Sequence, residues 1–211
     1  MEFIKTGLGV LRVAADRVLL ITGFDPFGGE SINPSWEAVK RLPEEIGRSR
    51  LEKIQIPTVF EKAAQAVLAR AEAVRPDGII CVGQAGGRSA ITPEVIGINL
   101  REARICDNAG QKPENTPVIE GGPAAYFATL PVREMVSAIQ KINIPAALSY
   151  SAGTFVCNDV LYTLLHRYHG TDVPVGFIHV PFLPEQASEN VPSLTQNQII
   201  DALTAVIGAL E

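Results

Sequence analysis

The stretch "RVLLITGFDPFGGESINPSWEAVKRL", residues 17–42, decides the fold class. Arg17–Gly23 is a short apolar run of the kind made by a strand buried on both faces. Asn33 followed by Pro34 is a helix start. The asparagine can cap free backbone N–H groups, and proline's missing N–H costs nothing at the first helical position. Between strand and helix lies "FDPFGGE", full of residues that favour turns.

The same alternation continues downstream. "LEKIQIP" alternates polar and apolar residues as a half-exposed strand does, and "FEKAAQAVLARAEAV" carries apolar residues at helical spacing. "RPDG" interrupts it before "IICVG" (Ile79–Gly83), a second buried strand. "EVIGINLREA" reads as an alternating strand, "PVREMVSAIQKI" as a helix, "AALSY" as a strand, "NDVLYTLLHRYH" as a helix and "VPVGFIHV" as a strand ending at or just past His179. "SLTQNQIIDALTAVIGALE" closes the chain as an amphipathic helix, with Ser193 and Gln196 in a capping-box pattern. Residues 105–125, rich in Gly, Pro, Asn and Asp, read as a long loop that shapes a pocket or a subunit contact.

Such alternation predicts an α/β sandwich with a largely parallel sheet. Ligands then sit at the carboxyl ends of the strands. Four strands run straight into "FDPFGGE", "QAGGRS", "SAGTFVCN" and "PFLPEQ", so these loops are expected on one rim. The helix-to-strand returns, such as "RPDG" and "NIP", are plain turns.

The 211 residues suffice for one substantial core, and neither a repeat nor a linker divides them. Residues 1–16 read as an N-terminal extension without a secretory pattern, and 17–211 as a single domain. A net charge of −5 with no basic cluster argues against nucleic acid as a partner, and no apolar run is long enough for a membrane span. Three cysteines, an odd number without C-x-x-C pairs, suit free thiols in a reducing compartment, with cytoplasm as the expectation.

Cys157 falls in the first turn of its predicted helix. There the helix dipole favours thiolate, and unpaired backbone N–H groups can hold an oxyanion. A small hydrophobe packed in the core is the competing reading, and position alone does not separate them. Cys81, inside a buried strand, is expected to be inert, and Cys106 to be exposed without activation.

Of three histidines, His166 and His169 lie roughly 13–18 Å further along the same helix. They are too distant to pair with Cys157, lack an evident acidic partner for a metal, and are expected to face solvent. His179, on the rim, is the histidine placed to meet the cysteine as its base. Spacing leaves the group that orients this imidazole open among Asp25, Glu30, Glu94, Asp107 and Glu185. The two Phe residues of "GFDPFGG" either staple that loop to the core or line an apolar pocket. The loop has neither a G-x-G-x-x-G nor a G-K-[ST] pattern for nucleotide binding.

"TGFDPFGG", "VGQAGGR", "ITPEVIGINLREARICDN", "EGGPAAYF", "SAGTFVCND" and "GFIHVPFLPEQ" occur in order from Arg17 to the end. Together they make the chain resemble the pyroglutamyl-peptidase I (pyrrolidone-carboxylate peptidase) family of cysteine peptidases. The resemblance implies a three-layer α/β/α sandwich with a mixed sheet, no metal or organic cofactor, and a homotetramer. It implies removal of N-terminal pyroglutamate from peptides, with Cys157 as nucleophile, His179 as base and Glu94 as the orienting acid. Substrate contacts are implied at Phe24, Phe27, Asn33, Gln84, Phe155 and Val156. The N-terminal extension and Cys106, where relatives are expected to carry proline, depart from the family pattern.

Two other classes fit the bare pattern. One is a phosphorylase-like protein in which "GQAGGR" and Arg88 cradle an anion. The other is a non-catalytic module with Cys157 buried.

Overall fold

The computed structural model describes residues 16–210, so the N-terminal extension, apart from Asp16, lies outside the described residues. In chain order the elements are β1 (Arg17–Phe24), α1 (Pro34–Val39), β2 (Glu45–Ile46), β3 (Ser49–Ile56), α2 (Lys62–Val74), β4 (Gly78–Gln84) and β5 (Thr92–Pro93). They continue with β6 (Ile96–Ile98), β7 (Ala125–Phe127), α3 (Val132–Lys141), α4 (Val156–Arg167), β8 (Val175–Val180) and α5 (Gln196–Gly208).

The main sheet runs β2-β3-β1-β4-β8-β5. Its four inner strands are parallel, and the two-residue strands at either edge are antiparallel. Burial explains the composition of the inner strands. β4 and β8 are covered on both faces and are buried almost throughout. β3, next to the edge, buries only part of its length, which is why it alternates polar and apolar residues.

Helices α1, α3 and α5 pack on one face through Ala38, Val39, Met135, Ile139, Leu203 and Val206. Helices α2 and α4 pack on the other through Ala63, Val67, Val156, Val160 and Leu164. Each fully buried aliphatic side chain of this kind stabilises by about 1.5–3 kcal/mol. The result is the three-layer α/β/α sandwich with a mixed, mainly parallel sheet.

Three local expectations change. "EVIGINLREA" contributes only β6, paired with β7 in a separate two-stranded ribbon. Asn158 of α4 takes over the neighbouring backbone, accepting from Ile98 N–H at 2.9 Å and donating to the carbonyls of Ile98 (2.8 Å) and Leu100 (3.0 Å). "AALSY" forms no continuous strand: Ala146 and Ser149 make isolated bridges to Ile91 and Glu94. The last helix begins two residues later than expected, because Ser193 is occupied bridging Phe182, and the capping box is made by Thr195 and Gln198.

The Asn33–Pro34 start is as expected. Asn33 Oδ1 accepts from Ser35 N–H at 3.1 Å, and Pro34 opens α1. Residues 105–125 contain no regular element before β7, yet the segment is tied down. Asp107 accepts from the backbone N–H groups of Phe60, Ala109 and Gln111, and Asn108 Nδ2 donates to Pro26 O at 2.9 Å.

Candidate active site

The site forms where β4, β8 and the start of α4 meet at the carboxyl end of the parallel strands. Cys157 is the second residue of α4. The residue before the helix, Phe155, is extended and has no capping side chain. The N–H groups of the first turn are therefore not consumed by a cap.

His179 lies on β8 and is 4% exposed. β5 pairs antiparallel with β8, Thr92 opposite His179, and the N–H of Glu94 continues this pairing to Phe177 O at 2.9 Å. Since strand side chains alternate with period two, Glu94 and His179 emerge on one face as diagonal neighbours. Glu94 Oε1 lies 2.7 Å from His179 Nδ1. With Glu94 ionised, Nδ1 carries the proton and Nε2 is free to accept one.

Arg88 completes the arrangement. Its Nη1 donates to the same Glu94 Oε1 at 2.8 Å and to Thr92 Oγ1, and its Nη2 donates to Ser151 O at 3.0 Å. Glu94 is fully buried and its Oε2 has no hydrogen bond among the described residues. Burial by itself would raise the Glu94 pKa. The hydrogen bond and charge of His179, helped by Ser149 and Arg88, outweigh it and hold the carboxyl below its usual value.

Burial lowers the His179 pKa, and the hydrogen bond and charge of Glu94 only partly oppose this. Burial, and then the negative charge of Glu94, push the Cys157 thiol up to about 12. Both act against the helix dipole, which by itself favours the thiolate.

Cys157 and His179 border one cavity of about 680 Å³, a size suited to a small-molecule group. Phe27, Gln84 and Phe155 also border it. The rings of Phe27 and Phe155 are 6.1 Å apart, and Phe60 supports Phe155 edge-on at 5.2 Å. Gln84 Oε1 accepts from Gln186 Nε2 at 3.1 Å, which leaves the Gln84 amide nitrogen without a hydrogen bond among the described residues.

Gly83, opposite His179 on β4, lies directly beneath the sulfur. A Cβ there would sit 3.0 Å from Cys157 Sγ and 2.7 Å from Phe177 Cζ.

Three residues implied as substrate contacts do not border this cavity. Phe24, 2% exposed, packs in the core against Phe177 at 6.1 Å. Val156 is fully buried under α4. Asn33 spends its amide locally, accepting from Ser35 and donating to Asp25 O at 2.9 Å. Among the carboxylates left open by spacing, only Glu94 meets the histidine. Asp25 accepts from Thr58 N–H at 2.6 Å, Asp107 braces its own loop, and Glu30 accepts from Gln186.

His166 and His169 are clustered with Tyr126 at the far end of α4, and His166 Nδ1 lies 2.9 Å from the Tyr126 hydroxyl. His166 is thus half-buried rather than solvent-facing. No group of three metal-ligating side chains occurs among the described residues. Cys81 is buried and Cys106 exposed, as expected.

Sequence reasoning had no use for Arg88 within this triad, and it overlooked Glu102, Arg104 and Ile105, which also border the cavity. Arg88 is committed to Glu94, Thr92 and Ser151, which removes the free cation that an anion cradle needs. Cys157 opens onto the cavity, unlike the wholly buried thiol of a non-catalytic module.

The family model described as pyroglutamyl peptidase matches residues 17–211. A pyrrolidone-carboxylate peptidase of Enterococcus faecalis is 50% identical over 196 residues, covering 90% of this chain and 92% of that protein. One of Bacillus thuringiensis is 50% identical over 188 residues, 87% of each. The crystal structure of pyroglutamyl peptidase I from Bacillus amyloliquefaciens superposes with a TM-score of 0.89 at 47% identity, covering 92% of this chain and 94% of that one. The pyrrolidone carboxyl peptidase of Thermococcus litoralis does so at 0.88 and 36% identity, covering 92% and 93%. With half its residues shared across nearly its whole length and the same fold throughout, the chain belongs to the pyroglutamyl peptidase family of cysteine peptidases.

Proposed function

We propose that Cys157, His179 and Glu94 form the catalytic triad by which this chain removes pyroglutamate from the N-terminus of peptides. One observation carries the assignment. The imidazole is held by Glu94 at 2.7 Å through Nδ1, and it shares a single cavity with a cysteine at a helix start.

In the acylation step His179 Nε2 takes the thiol proton as Sγ attacks the pyroglutamyl carbonyl. The C–S bond forms and the carbonyl π pair moves onto oxygen. N–H groups of the first turn of α4 hold that oxyanion. Its collapse breaks the C–N bond, and the imidazolium gives its proton to the leaving amine. Water, deprotonated by the same nitrogen, then attacks the thioester. Pyroglutamate leaves and the thiol is restored.

The chemistry of the ring suits the walls. Pyroglutamate is a flat neutral lactam without a free amine, so its pocket needs no carboxylate for an ammonium group. Phe27 and Phe155 supply apolar walls, and the Gln84 amide is available to the lactam carbonyl. Phe24, Asn33 and Val156 act in this reading from behind the wall, as packing and capping residues. A ligand lacking the lactam carbonyl leaves a buried donor unpaired, at a cost of roughly 1–3 kcal/mol.

The three free cysteines support a reducing, cytoplasmic setting. The family resemblance supports a homotetramer of one peptidase domain spanning 17–211, with residues 1–16 as an extension. Light scattering of the purified chain tests the assembly.

The activity test is release of a chromogenic amine from a pyroglutamyl amide, before and after iodoacetamide treatment. Release that alkylation removes is expected. Release that survives stoichiometric alkylation of Cys157 rejects the assignment.

A further inference from the structure

We propose that Arg88 is a positioning residue of this reaction, which fixes Glu94 in its orienting pose and ties it to the segment that carries Cys157. This rests on the triad reading above.

The geometry is specific. Glu94 Oε1 is shared between His179 Nδ1 at 2.7 Å and Arg88 Nη1 at 2.8 Å. The carboxylate is fully buried and the Arg88 side chain 30% exposed, so the pair is poorly screened from the Glu94 side. The other guanidinium nitrogen donates to Ser151 O at 3.0 Å, on the loop that leads into α4. One planar group thereby ties the carboxylate to the segment that carries Cys157. A lysine has a single ammonium and cannot hold three such acceptors in a fixed fork.

The charges facing His179 come from every side of the cavity. Glu94 follows β5, Arg88 precedes it, Cys157 is on α4, and Glu102 and Arg104 border the same cavity. Glu102 Oε2 is occupied by Asn115 N–H at 2.7 Å, and Arg104 makes no hydrogen bond to Glu94. Arg88 is the cation in direct contact with the Glu94–His179 pair. Its positive charge opposes the imidazolium and also opposes Glu94's effect on the thiol. Removing that charge makes His179 easier to protonate, so the acid limb of activity moves to higher pH.

The test is the pH dependence of kcat/KM on a pyroglutamyl amide for wild type, Arg88→Ala and Arg88→Lys. Arg88→Ala is expected to raise the acid limb by about one pH unit. It is expected to lower kcat about 10–100-fold, with KM changed no more than about twofold. Arg88→Lys keeps the charge and is expected to restore the acid limb but not the full kcat. Should Arg88→Ala not fold, Arg88→Gln carries the same prediction, since it retains donors without charge. An acid limb that stays at the wild-type position, or moves equally in the uncharged and lysine variants, overturns the proposal. A raised KM with an unmoved limb also overturns it. His179→Ala is measured in parallel: if that variant keeps activity, the triad reading itself fails, whatever Arg88 does.

Discussion

Replacing Gly83 by alanine probes the packing beneath the sulfur without altering any member of the proposed triad. The new methyl would lie 2.7 Å from Phe177 Cζ and 3.0 Å from Cys157 Sγ, where carbon contacts settle at about 3.5–4.0 Å. Phe177 is fully buried and Val156, beside Cys157 at the start of α4, is too, so neither side can yield freely. Overpacking of this kind costs about 1–3 kcal/mol, which in a domain of this size lowers Tm by roughly 2–12 °C. The larger effect falls on rate. A displacement of the nucleophile by about 1 Å costs on the order of 100-fold. We therefore expect Gly83→Ala to lose about two orders of magnitude in kcat/KM on a pyroglutamyl amide while its thermal transition stays cooperative. Gly208→Ala is the control: its Cβ meets nothing within 4 Å at the end of α5, so activity is unchanged. A Gly83→Ala enzyme with wild-type kcat/KM refutes the position assigned to the sulfur.

Other perturbations address the remaining parts. Glu94→Gln keeps the shape but loses the charge that holds the His179 tautomer. It should lose most activity, though less than Cys157→Ala, and wild-type turnover would mean that another carboxylate orients the base. A base works only when neutral, and burial lowers the His179 pKa, so kcat/KM should hold through pH 6.5 and fall only in more acidic buffer. An acid limb above 6.5 contradicts the buried, neutral imidazole. The Cys157 thiol, raised to about 12, should react with iodoacetamide at a rate that keeps climbing through the alkaline range; a plateau near neutral pH would reveal a preformed thiolate. Phe155→Ala removes one wall of the cavity and should raise KM with a smaller change in kcat, and an unchanged KM removes Phe155 from substrate contact.

Much of this architecture was legible because β1, β4 and β8 are buried on both faces and the helices on one. The contrast between apolar runs and helical spacing is strongest under those conditions. Cys157 and His179 could be placed on the rim from the direction of the chain alone. The choice of Glu94 could not be read from spacing, because it depends on a two-residue edge strand, β5, whose antiparallel register is set by tertiary packing. The resemblance supplied it instead. Phe24, Asn33 and Val156 stand off the cavity for a related reason. Phe24 ends β1 packed against Phe177, Asn33 caps α1, and Val156 faces the core from the first turn of α4. The thiol's upward shift was invisible because burial, its larger cause, and the facing Glu94 carboxylate are both set by tertiary packing.

The most direct test mixes a pyroglutamyl amide with the enzyme, quenches in acid within the first turnover, and maps the modified peptide by mass spectrometry. A pyroglutamyl thioester on Cys157, absent from Cys157→Ser and failing to accumulate in His179→Ala, is the predicted result. Turnover by Cys157→Ser at the wild-type rate, or an acyl group attached elsewhere, would contradict it.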